Sequence, residues 1–160
     1  MIVVLHHTGT ASMKFKTCLA TLALAGVFAS SAAIAQADPA LAAAAKEAGA
    51  VTTPSGLVYR SIKEGDGPSP SATDKVRVHY RGTFPDGREF DSSYKTNSPA
   101  EFPLNRVIKC WTEGVQKMKV GGKAKLTCPA SIAYGERGAG GVIPPNATLQ
   151  FEVELLAIAK

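Results

Sequence analysis

Apolar and polar residues alternate with period two in three stretches, and each reads as a strand with one buried face. In Val76-Arg77-Val78-His79-Tyr80, one face carries Val76, Val78 and Tyr80 and the other Arg77, His79 and Arg81. In Lys123-Ala124-Lys125-Leu126-Thr127-Cys128, the lysines face solvent and Ala124, Leu126 and Cys128 point inward. Leu149 to Leu155 alternates without a break, turns Phe151 inward and is expected to be a central strand. Leu57 to Ile62 reads as the first strand of the domain, and Glu89-Phe90-Asp91 as a return strand after the turn Pro85-Asp86-Gly87. A polar loop then leads to Val107-Ile108-Lys109-Cys110-Trp111 and a short helical pattern around Val115, which Gly121-Gly122 is expected to close. The class is α+β: an antiparallel twisted sheet, a half-barrel, wrapped on one short helix. A folded region of about 105 residues has core enough for one helix against one sheet.

The N-terminal third does not follow this pattern. From Met13 the chain has Lys14 and Lys16, an apolar run from Leu19 to Phe28, and small residues from Ser30 to Ala37. A basic start, an apolar run too short to span a bilayer and an A-x-A site make residues 13–37 a secretory signal, cut after Ala35 or Ala37. Residues 1–12 match neither a targeting segment nor a core and read as an upstream extension, with Met13 the initiator. Residues 38–50 are Ala-rich with little amphipathic pattern, a linker or one short helix. The folded domain is then 51–160.

Charge and cysteines narrow the function. The signal takes Lys14 and Lys16 and no acid, so 18 basic residues fall to 16 against 13 acidic, a net of about +3. With no run of like charge, nucleic acid is not a partner, and a membrane is met only through the signal during export. Cys110 and Cys128 remain after processing, either as a disulfide in an oxidising compartment or as two separate buried thiols. His79 is the sole histidine beyond the signal and reads as a surface residue, so no zinc site is expected. The glycine-rich Gly135-Glu136-Arg137-Gly138-Ala139-Gly140-Gly141 lacks the Lys-Ser/Thr of a phosphate loop and opens no helix. It reads as a mobile loop whose apolar tip, Val142-Ile143, is held by Pro144-Pro145.

Tyr80, Phe90, Phe102 and Trp111 are many aromatics for a chain with 7% of them. They fill an ordinary core or line a shallow apolar pocket; Asp91, directly after Phe90, favours a pocket with one acidic group on its wall.

Val78-His79-Tyr80, Phe90-Asp91-Ser92-Ser93, Val107-Ile108 with Trp111-Thr112-Glu113-Gly114, Ala133-Tyr134-Gly135, Ile143-Pro144-Pro145 and Leu149 to Leu155 occur in one order and spacing. Together they resemble the FK506-binding-protein (FKBP) family of peptidyl-prolyl cis-trans isomerases over about residues 51–160. The resemblance implies a prolyl pocket with Trp111 as floor and Tyr80, Phe90 and Phe151 as walls. It implies further that the Ile108 N–H and the Tyr134 hydroxyl hydrogen-bond the bound peptide, that Asp91 sits beside the twisted amide, and that Phe102, Val107, Ala133, Val142 and Ile143 contact substrate. Its ligands would be proline-containing polypeptides and macrolides of the FK506 or rapamycin type, with no cofactor. The implied activity is non-covalent isomerisation of X-Pro bonds in exported proteins, most naturally in a bacterial periplasm. The alternative is a chaperone or binding module using the same pocket and loop. Cys110, Ala100, Thr96 and Ala139 depart from the family pattern, which usually has Gly, an aromatic, a basic residue and His there.

Overall fold

The computed structural model describes residues 38–159; the signal-like segment 13–37 and residues 1–12 lie outside them. Seven strands form one antiparallel sheet: β1 (Ala50–Thr52), β2 (Val58–Lys63), β3 (Lys75–Thr83), β4 (Glu89–Ser92), β5 (Ala100–Pro103), β6 (Lys123–Cys128) and β7 (Leu149–Ala159). The order is β1-β2-β6-β7-β3-β4, with β5 also pairing β3. Among the described residues there are two α-helices, α1 (Pro39–Ala45) and α2 (Lys109–Gln116). Among the described residues no helix is long and apolar enough to cross a membrane.

The alternating stretch at the C-terminus is the central strand, as its pattern predicts. β7 pairs β6 from Lys123↔Glu154 to Cys128↔Leu149 and β3 from Lys75↔Ala159 to Thr83↔Gln150. Leu149, Phe151, Val153 and Leu155 are buried from it. The β3–β7 register shifts at a bulge between Arg77 and Val78, and on its other edge β3 pairs β5 over Lys75–Val78 and β4 over Arg81–Thr83.

Helix α2 lies against this face. Cys110, Trp111, Gly114 and Val115 are its buried residues, an i, i+1, i+4, i+5 stripe. Gly114 is required by close approach: a Cβ there would stand 2.7 Å from Leu126 Cδ2 on β6. The Thr112 hydroxyl donates to Leu104 O at 2.6 Å and ties the helix to the loop before it. Cys110 and Cys128 form a disulfide with Cα atoms 5.9 Å apart, so α2 is also joined covalently to β6. Of the two readings left open by the sequence, the bridge holds.

Some expectations shift. α2 ends at Gln116, capped by Lys117, before the glycine pair expected to close it. Gly121 and Gly122 instead reverse the chain and exchange hydrogen bonds with Leu155, through Gly121 N–H (2.7 Å) and Gly122 O (3.0 Å). Residues 38–50 carry the short helix and also pack on the sheet. Asp38 caps α1 by accepting from Ala40 N–H at 2.8 Å, and it also accepts from the Thr148 hydroxyl. Glu47 pairs with Arg60 and Lys125, and β1 begins at Ala50, ahead of the strand expected to come first. Propensity cannot show the contacts with Thr148, Arg60 and Lys125, because these partners are distant in sequence. His79 is half-buried rather than a plain surface residue: its ring stacks on Tyr94 at 4.8 Å and Nδ1 lies 3.0 Å from Ser93 Oγ.

Candidate functional site

Five elements meet around a cavity of about 340 Å³. β3 contributes Tyr80, β4 Phe90 and Asp91, β5 Phe102, α2 Trp111 and β7 Phe151; the loop before α2 adds Arg106, Val107 and Ile108, and the loop after β6 adds Tyr134.

The floor is Trp111, only 5% exposed. Three rings stand nearly perpendicular to it: Tyr80 at 5.3 Å and 80°, Phe102 at 5.5 Å and 90°, and Phe151 at 5.5 Å and 90° between centroids. Such edge-to-face pairs contribute about 0.5–1.5 kcal/mol each beyond the area they bury, so the indole plane is held from three sides. Phe90 leans edge-on against Phe151 at 5.6 Å. Gly82 makes room for it, since a Cβ at that position would meet Phe90 Cζ at 2.5 Å. Both readings of the aromatic cluster are therefore partly right: Trp111 and Phe151 belong to the core and their outer surfaces line the pocket.

Polar groups sit at the rim. Tyr80 donates its hydroxyl to Asp91 Oδ2 at 2.6 Å, while Asp91 Oδ1 accepts from Ser92 N–H at 2.9 Å. Burial pushes the Tyr80 phenol well above the usual tyrosine range, and the hydrogen bond and negative charge of Asp91 push it further. The Tyr134 phenol is raised as well, by burial first and by the Asp91 charge second. Both hydroxyls therefore keep their protons at neutral pH and act as donors. Ile108 is the N-cap of α2, with φ −56° and ψ 148°, and its carbonyl accepts from Trp111 and Thr112 N–H. Among the described residues its own N–H has no acceptor, which leaves a donor at the cavity mouth.

All seven residues expected in catalytic roles, Tyr80, Phe90, Asp91, Ile108, Trp111, Tyr134 and Phe151, line this one cavity, together with Phe102 and Val107. Ala133, Val142 and Ile143 do not. Ala133 is half-buried and packs against the core. Val142 and Ile143 line a neighbouring cavity instead. The expected apolar tip is Val142 alone, 58% exposed; Ile143 is 7% exposed because its N–H and carbonyl both bond to Ala139 at 3.0 Å, which folds it under the loop. Arg106 is a lining residue that the sequence reading did not select. Its position two residues before Ile108, in the loop that positions the Ile108 N–H, is the signal that could have found it. Of the four departures from the family pattern, none lines the cavity; Cys110 lies buried behind the floor.

Among the described residues no three His, Cys, Asp or Glu side chains converge as metal ligands. Asp91 is engaged by Tyr80, and among the described residues no Ser, Thr, Cys, Lys or His lines this cavity. The arrangement suits binding a small apolar ring whose flanking carbonyls meet donors at the rim.

Residues 67–156 match the family model described as FKBP-type peptidyl-prolyl cis-trans isomerase. The chain is 58% identical over 120 residues to the FKBP-type peptidyl-prolyl cis-trans isomerase FkpA of Aeromonas hydrophila, an alignment covering 75% of this chain and 44% of that protein. It is 55% identical over 114 residues to the FKBP-type 22 kDa peptidyl-prolyl cis-trans isomerase of Escherichia coli K12, covering 71% and 55%. The chain thus spans about half the length of these curated relatives. The crystal structure of FkpA from Escherichia coli superposes with a TM-score of 0.71 at 48% identity, over 74% of this chain and 55% of that one. A peptidyl-prolyl cis-trans isomerase from Pseudomonas syringae pv. tomato superposes with a TM-score of 0.71 at 37% identity, over 76% and 90%.

Proposed function

Because this chain belongs to the FKBP-type peptidyl-prolyl cis-trans isomerase family, we propose that it accelerates rotation about X-Pro bonds in proteins outside the cytoplasm. The observation that carries this reading is Trp111, fixed as a flat apolar floor by three nearly orthogonal rings in a cavity that the Ile108 N–H and the Tyr134 hydroxyl also line.

Rotation of the amide faces a barrier of roughly 18–20 kcal/mol because resonance is lost when the bond twists. Lowering it needs no covalent step. The prolyl ring lies on Trp111 between Tyr80, Phe90 and Phe151, where water is excluded. The twisted amide has a weaker dipole and a less solvated carbonyl than either planar isomer, so an apolar pocket disfavours it least. The Ile108 N–H and the Tyr134 hydroxyl hold flanking carbonyls and fix the peptide while the bond turns. Asp91 acts as an acceptor that orients Tyr80 and supplies charge beside the amide, without abstracting a proton. Preference for the twisted state over both planar states is the whole of the catalysis.

Residues 13–37 serve in this reading as a signal peptide, and 51–160 as the isomerase domain with 38–50 as its N-terminal strap. The Cys110–Cys128 bridge agrees with an oxidising compartment such as a bacterial periplasm. Clients are proline-containing polypeptides, and FK506-type macrolides compete for the same pocket.

The test is the cis-to-trans rate of a Leu-Pro peptide with wild type and with Trp111→Leu, the fold of each checked by circular dichroism. Loss of the floor is expected to lower kcat/KM at least about tenfold, one 1.36 kcal/mol step in barrier. A folded Trp111→Leu variant with wild-type rate would remove the pocket from the mechanism.

A further inference from the structure

Beyond the aromatic pocket lies a second cavity of about 450 Å³, between the β3–β4 turn and the loop that follows Tyr134. Phe84, Val142 and Ile143 give it an apolar lining, and Arg88 and Arg137 add two guanidinium groups; no carboxylate lines it. Hydrogen bonds within the loop hold one of its walls. The Ala139–Ile143 bridge, with a 3.0 Å hydrogen bond in each direction, closes the loop, and Pro144-Pro145 stiffens the chain beyond. The Arg88 guanidinium lies over the Phe84 ring at 5.1 Å. Its partner Asp86 is a neighbour two residues away, in a pair whose side chains are 75% and 54% exposed, which a competing carboxylate displaces at little cost. Among the described residues Arg137 has no acidic partner.

A wall of packed rings links the cavity to the prolyl pocket. The Phe84 ring is 5.1 Å from Phe90, and Phe90 is 5.6 Å from Phe151 in the pocket wall. An extended peptide advances about 3.3 Å per residue, so roughly three to four residues span the path along these three rings.

We propose that this cavity is a second subsite that takes an acidic side chain, glutamate or aspartate, of the same polypeptide whose proline occupies the aromatic pocket; the proposal rests on the isomerase reading above. The carboxylate meets Arg137 and Arg88, and the side-chain methylenes lie on Val142 and Phe84. Both guanidinium groups are exposed, so solvent screens the charge pair and the gain is modest, while the hydrogen-bonded loop lowers the entropy lost on binding. The consequence is a preference for prolines with an acidic residue a few positions away.

The experiment compares Leu-Pro peptides that differ only in carrying glutamate or glutamine about three to four residues before or after the proline, with the full chain as catalyst. On one of the two sides the glutamate peptide is expected to have a KM about three- to tenfold lower than its glutamine twin, with similar kcat. The difference should shrink at high salt and vanish in Arg88→Gln/Arg137→Gln. Equal KM on both sides overturns the proposal. So does a preference that survives the double substitution, which would assign the effect to Arg106. If even the glutamine peptides are not turned over, the isomerase reading fails by itself. The subsite is then decided by titrating a proline-free glutamate peptide while following the Arg137 and Val142 amides by NMR. Shifts absent with the glutamine control support it, and no shifts overturn it.

Discussion

Breaking the Cys110–Cys128 bridge tests how the fold supports the site, because the bond joins the helix carrying Trp111 to β6. The cysteines are 18 residues apart, and closing a loop of that size removes about 3 kcal/mol of chain entropy from the unfolded ensemble. With an unfolding entropy of about 2.1 cal/mol/K per residue over about 120 residues, that corresponds to a fall in Tm of roughly 12 °C. Activity should fall as well. Cys110 precedes Trp111 and is fully buried, so a slack α2 loosens the floor and the Ile108 N–H at the same helix end. Both sulfurs are inaccessible in the folded state, so reduction is carried out through unfolding and refolding in reductant, with Cys110→Ala/Cys128→Ala as a second form. Thermal unfolding by circular dichroism gives Tm, and the Leu-Pro assay run well below it gives kcat/KM. A Tm within about 3 °C of the oxidised protein would refute the entropy argument. An unchanged kcat/KM in a form of lowered Tm would show that Gly114–Leu126 packing and the Thr112–Leu104 hydrogen bond hold the helix without the bridge.

Two further outcomes are expected. Asp91→Leu leaves the Tyr80 hydroxyl without its acceptor at an exposed position, so the fold should survive while kcat/KM falls about three- to tenfold; full activity in the folded variant would defeat the role given to Asp91. The phenols of Tyr59, Tyr80, Tyr94 and Tyr134 are all raised in the fold, with burial the largest cause in each. Above pH of about 10 the folded protein therefore holds more protons than the unfolded chain, and stability falls as pH rises through that region. Tyrosinate absorbance should show a higher midpoint for folded protein than for protein in denaturant, and Tyr80→Phe should flatten the alkaline loss of stability; coincident midpoints would refute the shift.

What the chain discloses without a structure follows the range of the interaction involved. Unbroken alternation from Leu149 to Leu155 marks a strand buried by neighbours on both sides, and β7 is that strand. The family motifs carry Tyr80, Phe90, Asp91, Ile108, Trp111 and Phe151 into one cavity because each sits on a regular element or at its cap, and Tyr134 joins them from the loop after β6. Long-range polar contacts leave no such trace: Glu47 meets Lys125 across 78 positions, and Asp38 meets Thr148 across 110. Val142 and Ile143 look alike in sequence, yet the Ala139 bridge buries one and exposes the other. Arg106 is charged within an apolar motif, and only the folded loop turns it to the cavity.

The central claim is that the aromatic cavity binds and turns an X-Pro bond. The cis-to-trans exchange of a Leu-Pro peptide, followed by NMR with catalytic amounts of protein and with or without FK506, tests it most directly. Clear acceleration that the macrolide abolishes is expected, with shifts of the Trp111 indole and Ile108 amide as it binds. A folded protein that neither accelerates exchange nor shows those shifts would contradict it.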